Sequence, residues 1–219
     1  MKKVPLIHES KLELYVANIK SCYYQALQYP TIAECGLNWY FDAKTSVIKL
    51  ATRYHTSIEV ACGVIAALSP NNKWERNLVD ADLLLRHWKI GDKLESFKVA
   101  TYNHNKDKAW QIAHGVDPLE ALRGNKTRAF YQCLFLPTNS FAVCIDSHAI
   151  NIALGKSQTI AQTPTLNSAN YEILARAYKL ATQEINRESL ESSILPLQVQ
   201  AVTWTLYRVL RGIDSTYTI

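Results

Sequence analysis

One carboxylate in this sequence has a position that is typical of a functional group. Asp146 directly follows the apolar residues 141–145, so we expect it to lie at the rim of buried structure. A carboxylate in such a place is costly unless it is paired, caps a helix or takes part in a reaction. Because residues 147–154 read as a helix, Asp146 is predicted to be its N-cap. The two roles are compatible, since a carboxylate held at a helix start can also face a cleft.

A second candidate site lies upstream, at residues 122–130. Gly124 tolerates a positive φ and Asn125 tolerates the left-handed conformation, so the chain can turn tightly there. The helix predicted to follow exposes its first N–H groups, which can bind an anion. Lys126 and Arg128 stand at that helix start, where the helix macrodipole disfavours cations, and this favours an anionic partner such as a phosphate. On charge alone, an ordinary solvated basic turn explains the segment better.

Both segments resemble the helix-hairpin-helix DNA glycosylases of the endonuclease III superfamily. The resemblance is carried by Gly-Asn-Lys-Thr-Arg-Ala-Phe at 124–130 and Ile-Asp-Ser-His at 145–148. In that family a glycine-rich hairpin grips DNA phosphates through backbone N–H groups, and the Asp of a motif similar to the second segment is catalytic. Upstream, Val-Ile-Ala-Ala-Leu-Ser-Pro-Asn at 64–71, followed by the helical pattern of 77–85, resembles the family's early core helix and wedge loop.

The resemblance implies that the 219 residues form one compact unit with two helical lobes around a cleft. Residues 56–154 would be the core lobe, with the helix-hairpin-helix near 117–136, and the remaining terminal helices would form the second lobe. The hairpin departs from the family pattern, because Lys126 stands where the second glycine would be. Arg128 stands where bifunctional members carry the lyase lysine, and a protonated guanidinium cannot act as an amine nucleophile. We therefore expect a monofunctional enzyme.

The implied activity is that of a glycosylase, which flips a damaged or modified base out of duplex DNA and excises it. Asp146 is the expected catalyst, since its charge would stabilise an oxocarbenium-like sugar. The expected DNA contacts are Gly124, Asn125, Lys126, Thr127, Arg128, Asn71 and Asn72. The candidate pocket walls, on which a base could stack, are Trp39, Tyr40, Trp74 and His148. Aromatic residues are more often core than pocket, and the two wedge asparagines also fit an ordinary polar turn.

The composition is that of a globular, mildly basic protein. Hydrophobic residues make up 48% of the chain, which is enough for a core, and the net charge of +5 is compatible with nucleic acid without requiring it. The five cysteines have no Cys-x-x-Cys spacing, so we expect neither metal, iron–sulfur cluster nor other cofactor. The sequence shows no signal region and no apolar stretch long enough to cross a bilayer, so we expect a cytoplasmic protein. We also expect it to be a monomer.

Helical periodicity dominates the chain, and strand signals are scarce, so the predicted fold class is all-α. The predicted helices are 10–29, 38–54, 57–68, 74–88, 106–114, a short one from 119, 127–136, 147–154, 171–185 and 197–211. Residues 57–68 are apolar nearly all round, which predicts a central buried helix. Thr56 and Glu59 are expected to form a capping box at its start.

Other classes of function remain open. A non-catalytic DNA-binding module could use the same hairpin, although phosphate binding alone would not require Asp146. An enzyme of the same fold could instead process the bases of hypermodified, phage-type DNA without leaving an abasic site. A plain interaction scaffold would leave residues 124–128 without a role.

Overall fold

The computed structural model describes residues 7–138, 141–189 and 193–213. All regular elements of these residues are helices and no strand occurs among them, which confirms the all-α prediction. The α-helices are α1 (Leu12–Leu27), α2 (Pro30–Tyr54), α3 (Ile58–Leu68), α4 (Trp74–Lys89), α5 (Asn103–Ala113), α6 (Pro118–Ala121), α7 (Asn125–Phe135), α8 (Ser147–Ala153), α9 (Ser168–Glu188) and α10 (Pro196–Leu210). Single 3-10 turns occur at Glu9–Lys11, Leu94–Ser96 and Ile160–Gln162. None of the described helices combines the length and the apolar character that crossing a membrane requires.

The chain divides into two compact units, and one boundary falls inside α2. Unit 1 comprises the described parts of Met1–Tyr40 and Thr138–Ile219, and unit 2 comprises Phe41–Pro137. Asp146 therefore belongs to unit 1, whereas the hairpin belongs to unit 2. The predicted core lobe of residues 56–154 has other bounds and stays a prediction.

Unit 2 is built around α3. The eight residues from Ala61 to Leu68 are all buried, which confirms the prediction of a central apolar helix. This helix packs against α4, α5, α6 and α7. At Gly63 a Cβ would lie 2.9 Å from side-chain atoms of Ile112 and of Pro118, so the glycine permits the close approach of α5 and α6.

The predicted capping box at the start of α3 is wrong. Ser57 is the N-cap, and its hydroxyl accepts a hydrogen bond from the Val60 amide at 3.1 Å. The Thr56 amide donates a hydrogen bond to the Ala51 carbonyl of α2. Thr56 is therefore still bound to the end of α2, and the residue after it caps α3. Glu59 accepts a hydrogen bond from the hydroxyl of Tyr131 instead.

Residues 30–54 form one helix, although the sequence predicts a stop at Pro30 and a new helix from Asn38. Proline fits the first turn of a helix because no intrahelical bond needs its missing N–H there. Pro30 therefore starts α2 rather than separating two elements.

Unit 1 is built around α1 and α10. α1 packs against α8, α9 and α10, and α10 also packs against α8 and α9. Gly36, in the part of α2 that belongs to this unit, lies directly on α10: a Cβ there would be 2.8 Å from the amide nitrogen of Val202 and closer still to its Cα. The two backbones touch at this point, and only a glycine permits it.

Candidate functional site

The segment in which the hairpin is predicted consists of α6, a three-residue connection and α7, all in unit 2. Asp117 caps α6, since its carboxylate accepts a hydrogen bond from the Leu119 amide at 2.6 Å. The expected left-handed turn does not occur. Gly124 is the N-cap of α7 with an extended backbone (φ −86°), and Asn125 is already helical. The chain therefore passes between the helices in an extended conformation, which does not require a glycine.

Arg128 holds the two ends of the hairpin together. Its Nε donates to the carbonyl of Leu122 at 2.6 Å, and its Nη2 donates to the carbonyl of Leu119. Thr127 adds a bond from its hydroxyl to the Gly124 carbonyl at 2.9 Å. The guanidinium thus has a structural role that the sequence did not indicate, and its contact with DNA stays a prediction.

The N-terminus of α7 has no side-chain cap. Gly124 has no side chain, so it cannot accept hydrogen bonds from the N–H groups of the first turn as Ser or Asp would. Water or an anion can take that place. Lys126 and Thr127 are half-buried in this turn, and Arg123 just before it is exposed.

Most of the net charge lies in unit 2. Its sequence contains 14 Lys and Arg against 10 Asp and Glu, whereas the rest of the chain contains 10 against 9. Four of the five net positive charges therefore fall within residues 41–137. Anionic partners are attracted to such a region at long range.

The predicted wedge loop follows α3, and its two asparagines differ. Asn71 is exposed in the left-handed region (φ 55°), and its amide donates to the hydroxyl of Tyr102 at 3.1 Å. Asn72 is tied inward, because its amide donates to the Leu68 carbonyl and, at 2.9 Å, to Oδ2 of Asp80. Of the two, only Asn71 is presented at the surface.

Asp80 is a buried carboxylate that sequence reasoning missed. It is fully buried, and besides the loop amide it accepts hydrogen bonds from Nε of Arg76 and from the Ala100 amide, both at 2.9 Å. It joins the loop after α3 to the segment before α5. Helical spacing gave a usable signal, since Asp80 lies on the same face of α4 as the buried Ala81 and Leu84.

Asp146 is held by two donors in unit 1. It is the N-cap of α8, as predicted, and Oδ1 accepts a hydrogen bond from the Ala149 amide at 2.8 Å. Oδ2 accepts a hydrogen bond from Nε1 of Trp204 on α10 at 2.9 Å. The residue is half-buried. These bonds fix the carboxylate without exhausting its capacity, since a carboxylate can accept about four hydrogen bonds.

Trp204 brings two of the predicted pocket residues near Asp146. Its ring centroid lies 5.9 Å from that of Trp39 and 6.3 Å from that of His148. The guanidinium of Arg208 lies 4.2 Å from the Trp204 ring centre, a cation–π distance. The sequence did not identify Trp204, because 58 residues separate it from Asp146 and no local pattern connects them.

The other two predicted pocket residues have different surroundings. Tyr40 is buried in unit 1, and its hydroxyl donates to Oε1 of Gln200 at 3.0 Å, which fits the core alternative for this residue. Trp74 starts α4 in unit 2 and is half-buried. The four candidates thus do not come from one unit, and their role as pocket walls stays a prediction.

No group of His, Cys, Asp and Glu that could hold a metal ion occurs among the described residues. All five cysteines are free thiols, and Cys62, Cys133 and Cys144 are buried. Burial raises the pKa of Cys22 and of Cys62 to about 12. Both are therefore protonated at neutral pH, and a protonated thiol is a poor nucleophile and metal ligand.

The described residues define an all-helical protein with an excess of positive charge in unit 2 and, in unit 1, a carboxylate bound by a helix amide and an indole N–H. A family model matches residues 1–211, so the chain belongs to that family, which is described as Family of unknown function (DUF7178). The matched range includes the hairpin, the loop after α3 and Asp146. No curated protein and no solved structure matches the chain.

Proposed function

We propose that this protein is a DNA glycosylase-type enzyme, which flips a damaged or modified base out of duplex DNA and excises it. The observation that carries the proposal is the setting of Asp146. A helix amide and an indole N–H fix its two oxygens, and aromatic rings surround its indole partner. A fixed carboxylate in such a setting can stabilise the positive charge that develops on a sugar when its bond to the base breaks.

In this proposal unit 2 binds the DNA backbone. The N–H groups of the first turn of α7 would bind a phosphate, and Lys126 would add positive charge there. Arg128 and Thr127 would contact the DNA, and their hydrogen bonds to backbone carbonyls would also stabilise the conformation of the hairpin. Asn71 would take the place of the flipped nucleotide, and Asn72 would hold the loop from within.

The enzyme is proposed to be monofunctional. Arg128 stays protonated and cannot form a Schiff base with the sugar, and its guanidinium is engaged by two carbonyls of the hairpin. Lys126, two residues earlier, is the amine whose involvement has to be tested. Treatment of an active reaction with borohydride should trap no covalent adduct, and an adduct that disappears in Lys126→Ala would contradict monofunctional chemistry.

The test is base release from defined DNA. Labelled duplexes, each with one damaged or phage-type modified base, are incubated with the protein and then treated with alkali, which cuts abasic sites. We expect at least one substrate to be cut only after alkali, and the product to be lost with Asp146→Asn. The proposal fails if no substrate yields product, or if the Asp146 variant yields as much as the wild type.

One observation favours a second candidate, a non-catalytic DNA-binding module. Both oxygens of Asp146 already have structural partners, so the residue could serve only to start α8 and to anchor Trp204. A protein of this kind would bind all the duplexes in the panel and release no base from any of them. The same experiment therefore separates the two candidates.

A further inference from the structure

An exposed aromatic pair marks the start of α5 in unit 2. The Tyr102 side chain is 58% exposed, and its ring lies nearly parallel to that of His104, with 5.6 Å between centroids and an angle of 10°. His104 is exposed as well. We call these two side chains the aromatic platform. No role in the fold's core explains it, because neither residue is buried.

The aromatic platform is tied to the loop that follows α3. The Asn71 amide donates to the Tyr102 hydroxyl at 3.1 Å, and the hydroxyl of Thr101 donates to the Pro70 carbonyl at 2.8 Å. The amide of Asn105 then donates to the Thr101 hydroxyl at 2.9 Å. The loop after α3 therefore supports the segment that carries the aromatic platform.

Buried polar groups hold the segment before the platform in place. Lys106 is buried, and its Nζ donates to the carbonyls of Leu94 and Phe97 and lies 4.0 Å from the Phe97 ring centre. Burial lowers the pKa of Lys106. At the other end of the segment, the Ala100 amide donates to the buried carboxylate of Asp80. The platform is thus preorganised although Tyr102 itself lies outside the helices.

The chemistry of the platform fits a nucleobase. Every base has a flat face that stacks on an aromatic ring, and amide, phenol and imidazole groups can bond to its edges. The surrounding unit carries 14 Lys and Arg against 10 Asp and Glu, which favours the anionic strand to which a base belongs. Two side chains are too few for a stable protein interface, which buries about 800 Å² on each partner.

We propose that Tyr102 and His104 stack with an unpaired base of a bound strand, next to Asn71. The inference rests on the proposed action on DNA and adds a second contact of unit 2 with the strand. It concerns an unpaired base that stacks on exposed rings of unit 2.

The experiment separates base contacts from phosphate contacts. The protein is titrated into two labelled single strands of about twelve nucleotides, a length within the usual site sizes. One strand is oligo-dT, and the other has the same phosphates with an abasic tetrahydrofuran at each position. We expect the wild type to bind oligo-dT about tenfold more tightly than the abasic strand. Tyr102→Ala and His104→Ala should reduce this preference and leave the affinity for the abasic strand unchanged.

Tyr24→Ala is the matched control, because Tyr24 is an exposed tyrosine of α1 in unit 1. It should keep the full preference for bases. The proposed base stacking is contradicted if the wild type binds both strands equally, or if Tyr102→Ala keeps the preference for oligo-dT. Neither result contradicts binding to DNA. A wild type that binds neither these strands nor the duplex panel overturns the proposed function itself.

Discussion

Residues 41–137 contain 14 Lys and Arg against 10 Asp and Glu, whereas the rest of the chain, which is longer, contains 10 against 9. The difference extends to the candidate groups. Unit 2 offers a glycine-capped helix start, a left-handed Asn71 and an exposed pair of rings. Unit 1 offers one half-buried carboxylate, Asp146, whose indole partner lies among other aromatic groups.

The proposed function assigns binding and chemistry to different parts of the chain. The groups proposed to contact a charged strand belong to unit 2, where their geometry depends on buried supports such as Asp80. The group that could stabilise a reacting sugar belongs to unit 1, where its geometry depends on α8 and α10. Changes in one unit should therefore affect DNA affinity, and changes in the other should affect the reaction.

The largest expected effect comes from Gly36→Ala in unit 1. A Cβ at this position meets the backbone of Val202, which cannot move aside as a side chain can, so α2 and α10 must separate. We expect a loss of about 3 kcal/mol or more in the free energy of unfolding. Trp39 and Trp204 lie on these two helices, so base release should fall as well. Urea unfolding and the alkali assay measure the two effects.

Gly124→Ala is the control for that variant. At Gly124 the nearest atom that a Cβ would meet is the hydroxyl of Thr127, at 3.4 Å, and φ is negative. We expect a loss of less than about 1 kcal/mol. If Gly36→Ala is as mild as this, the close contact of α2 and α10 does not organise unit 1.

Asp80→Ala tests the buried support of unit 2. The change removes two partly buried hydrogen bonds to a charged acceptor, one from the Asn72 amide, which keeps the Leu68 carbonyl, and one from the Ala100 amide. We expect a loss of about 2 kcal/mol in the free energy of unfolding. The preference for oligo-dT over the abasic strand should fall with it, because the loop and the aromatic platform lose their common anchor. Asp107→Ala, an exposed carboxylate on α5, is the control and should change neither quantity. If Asp80→Ala keeps the full preference for oligo-dT over the abasic strand, the aromatic platform does not depend on Asp80.

Acid should weaken unit 2 through Asp82. Burial raises the pKa of this carboxyl, but hydrogen bonds from Tyr54, Arg53 and Arg86 outweigh burial, and the pKa lies below its usual value. A lowered native pKa gives stability that is present above the unfolded value, about 3.9, and is lost as the pH falls through the native value. Asp82→Asn should therefore be less stable than the wild type at neutral pH. The difference between their free energies of unfolding in urea should shrink as the pH falls below the unfolded pKa of about 3.9.

The ion pair between Lys20 and Glu188, on the surface of unit 1, provides the comparison. A hydrogen bond from Lys20 lowers the pKa of Glu188, but this carboxylate is on the surface, where ion pairs contribute little. Glu188→Gln should change stability less than Asp82→Asn at every pH. If the difference in unfolding free energy between the wild type and Asp82→Asn stays constant with pH, the charge of Asp82 does not stabilise the fold.

The smallest expected effect is that of Lys126→Ala on DNA affinity. A single phosphate contact contributes to all sequences alike, so affinity should fall several-fold on every duplex. The slope of log affinity against log salt concentration should become shallower by about one. Lys156→Ala, an exposed lysine of unit 1, should change neither. Equal losses in both variants would mean that binding does not distinguish the units.

Helical periodicity predicted most of the fold, because burial on one face leaves a local trace in the sequence. The buried α3 and the start of α10 at Pro196 are examples. Local signals failed where one residue type serves two purposes: Pro30 can end a helix or begin one, and both Thr56 and Ser57 can cap.

The candidate site could be predicted only in part. Asp146 was found because an apolar run leads to it, and its capping role is confirmed. Its bond to Trp204 depends on tertiary packing and leaves no local trace. Arg128 was identified by its charge, yet the geometry that turns it towards two carbonyls cannot be read from the sequence.

The most direct test of the central claim is single-turnover base release by Asp146→Asn, with DNA affinity measured on the same preparation. Asparagine caps a helix about as well as aspartate, but the Ala149 amide and the Trp204 indole bind different oxygens of Asp146. In asparagine one of these positions is an NH2 group, which cannot accept a hydrogen bond. Trp204→Phe and the double variant therefore accompany it, since phenylalanine removes the indole donor.

If the charge of Asp146 is catalytic, Asp146→Asn and the double variant should both lose about 10²- to 10³-fold or more in rate, with DNA affinity near that of the wild type. Trp204→Phe alone should lose much less. Wild-type rates in Asp146→Asn, or recovery of the rate in the double variant, would show that Asp146 only caps α8, and would contradict the account.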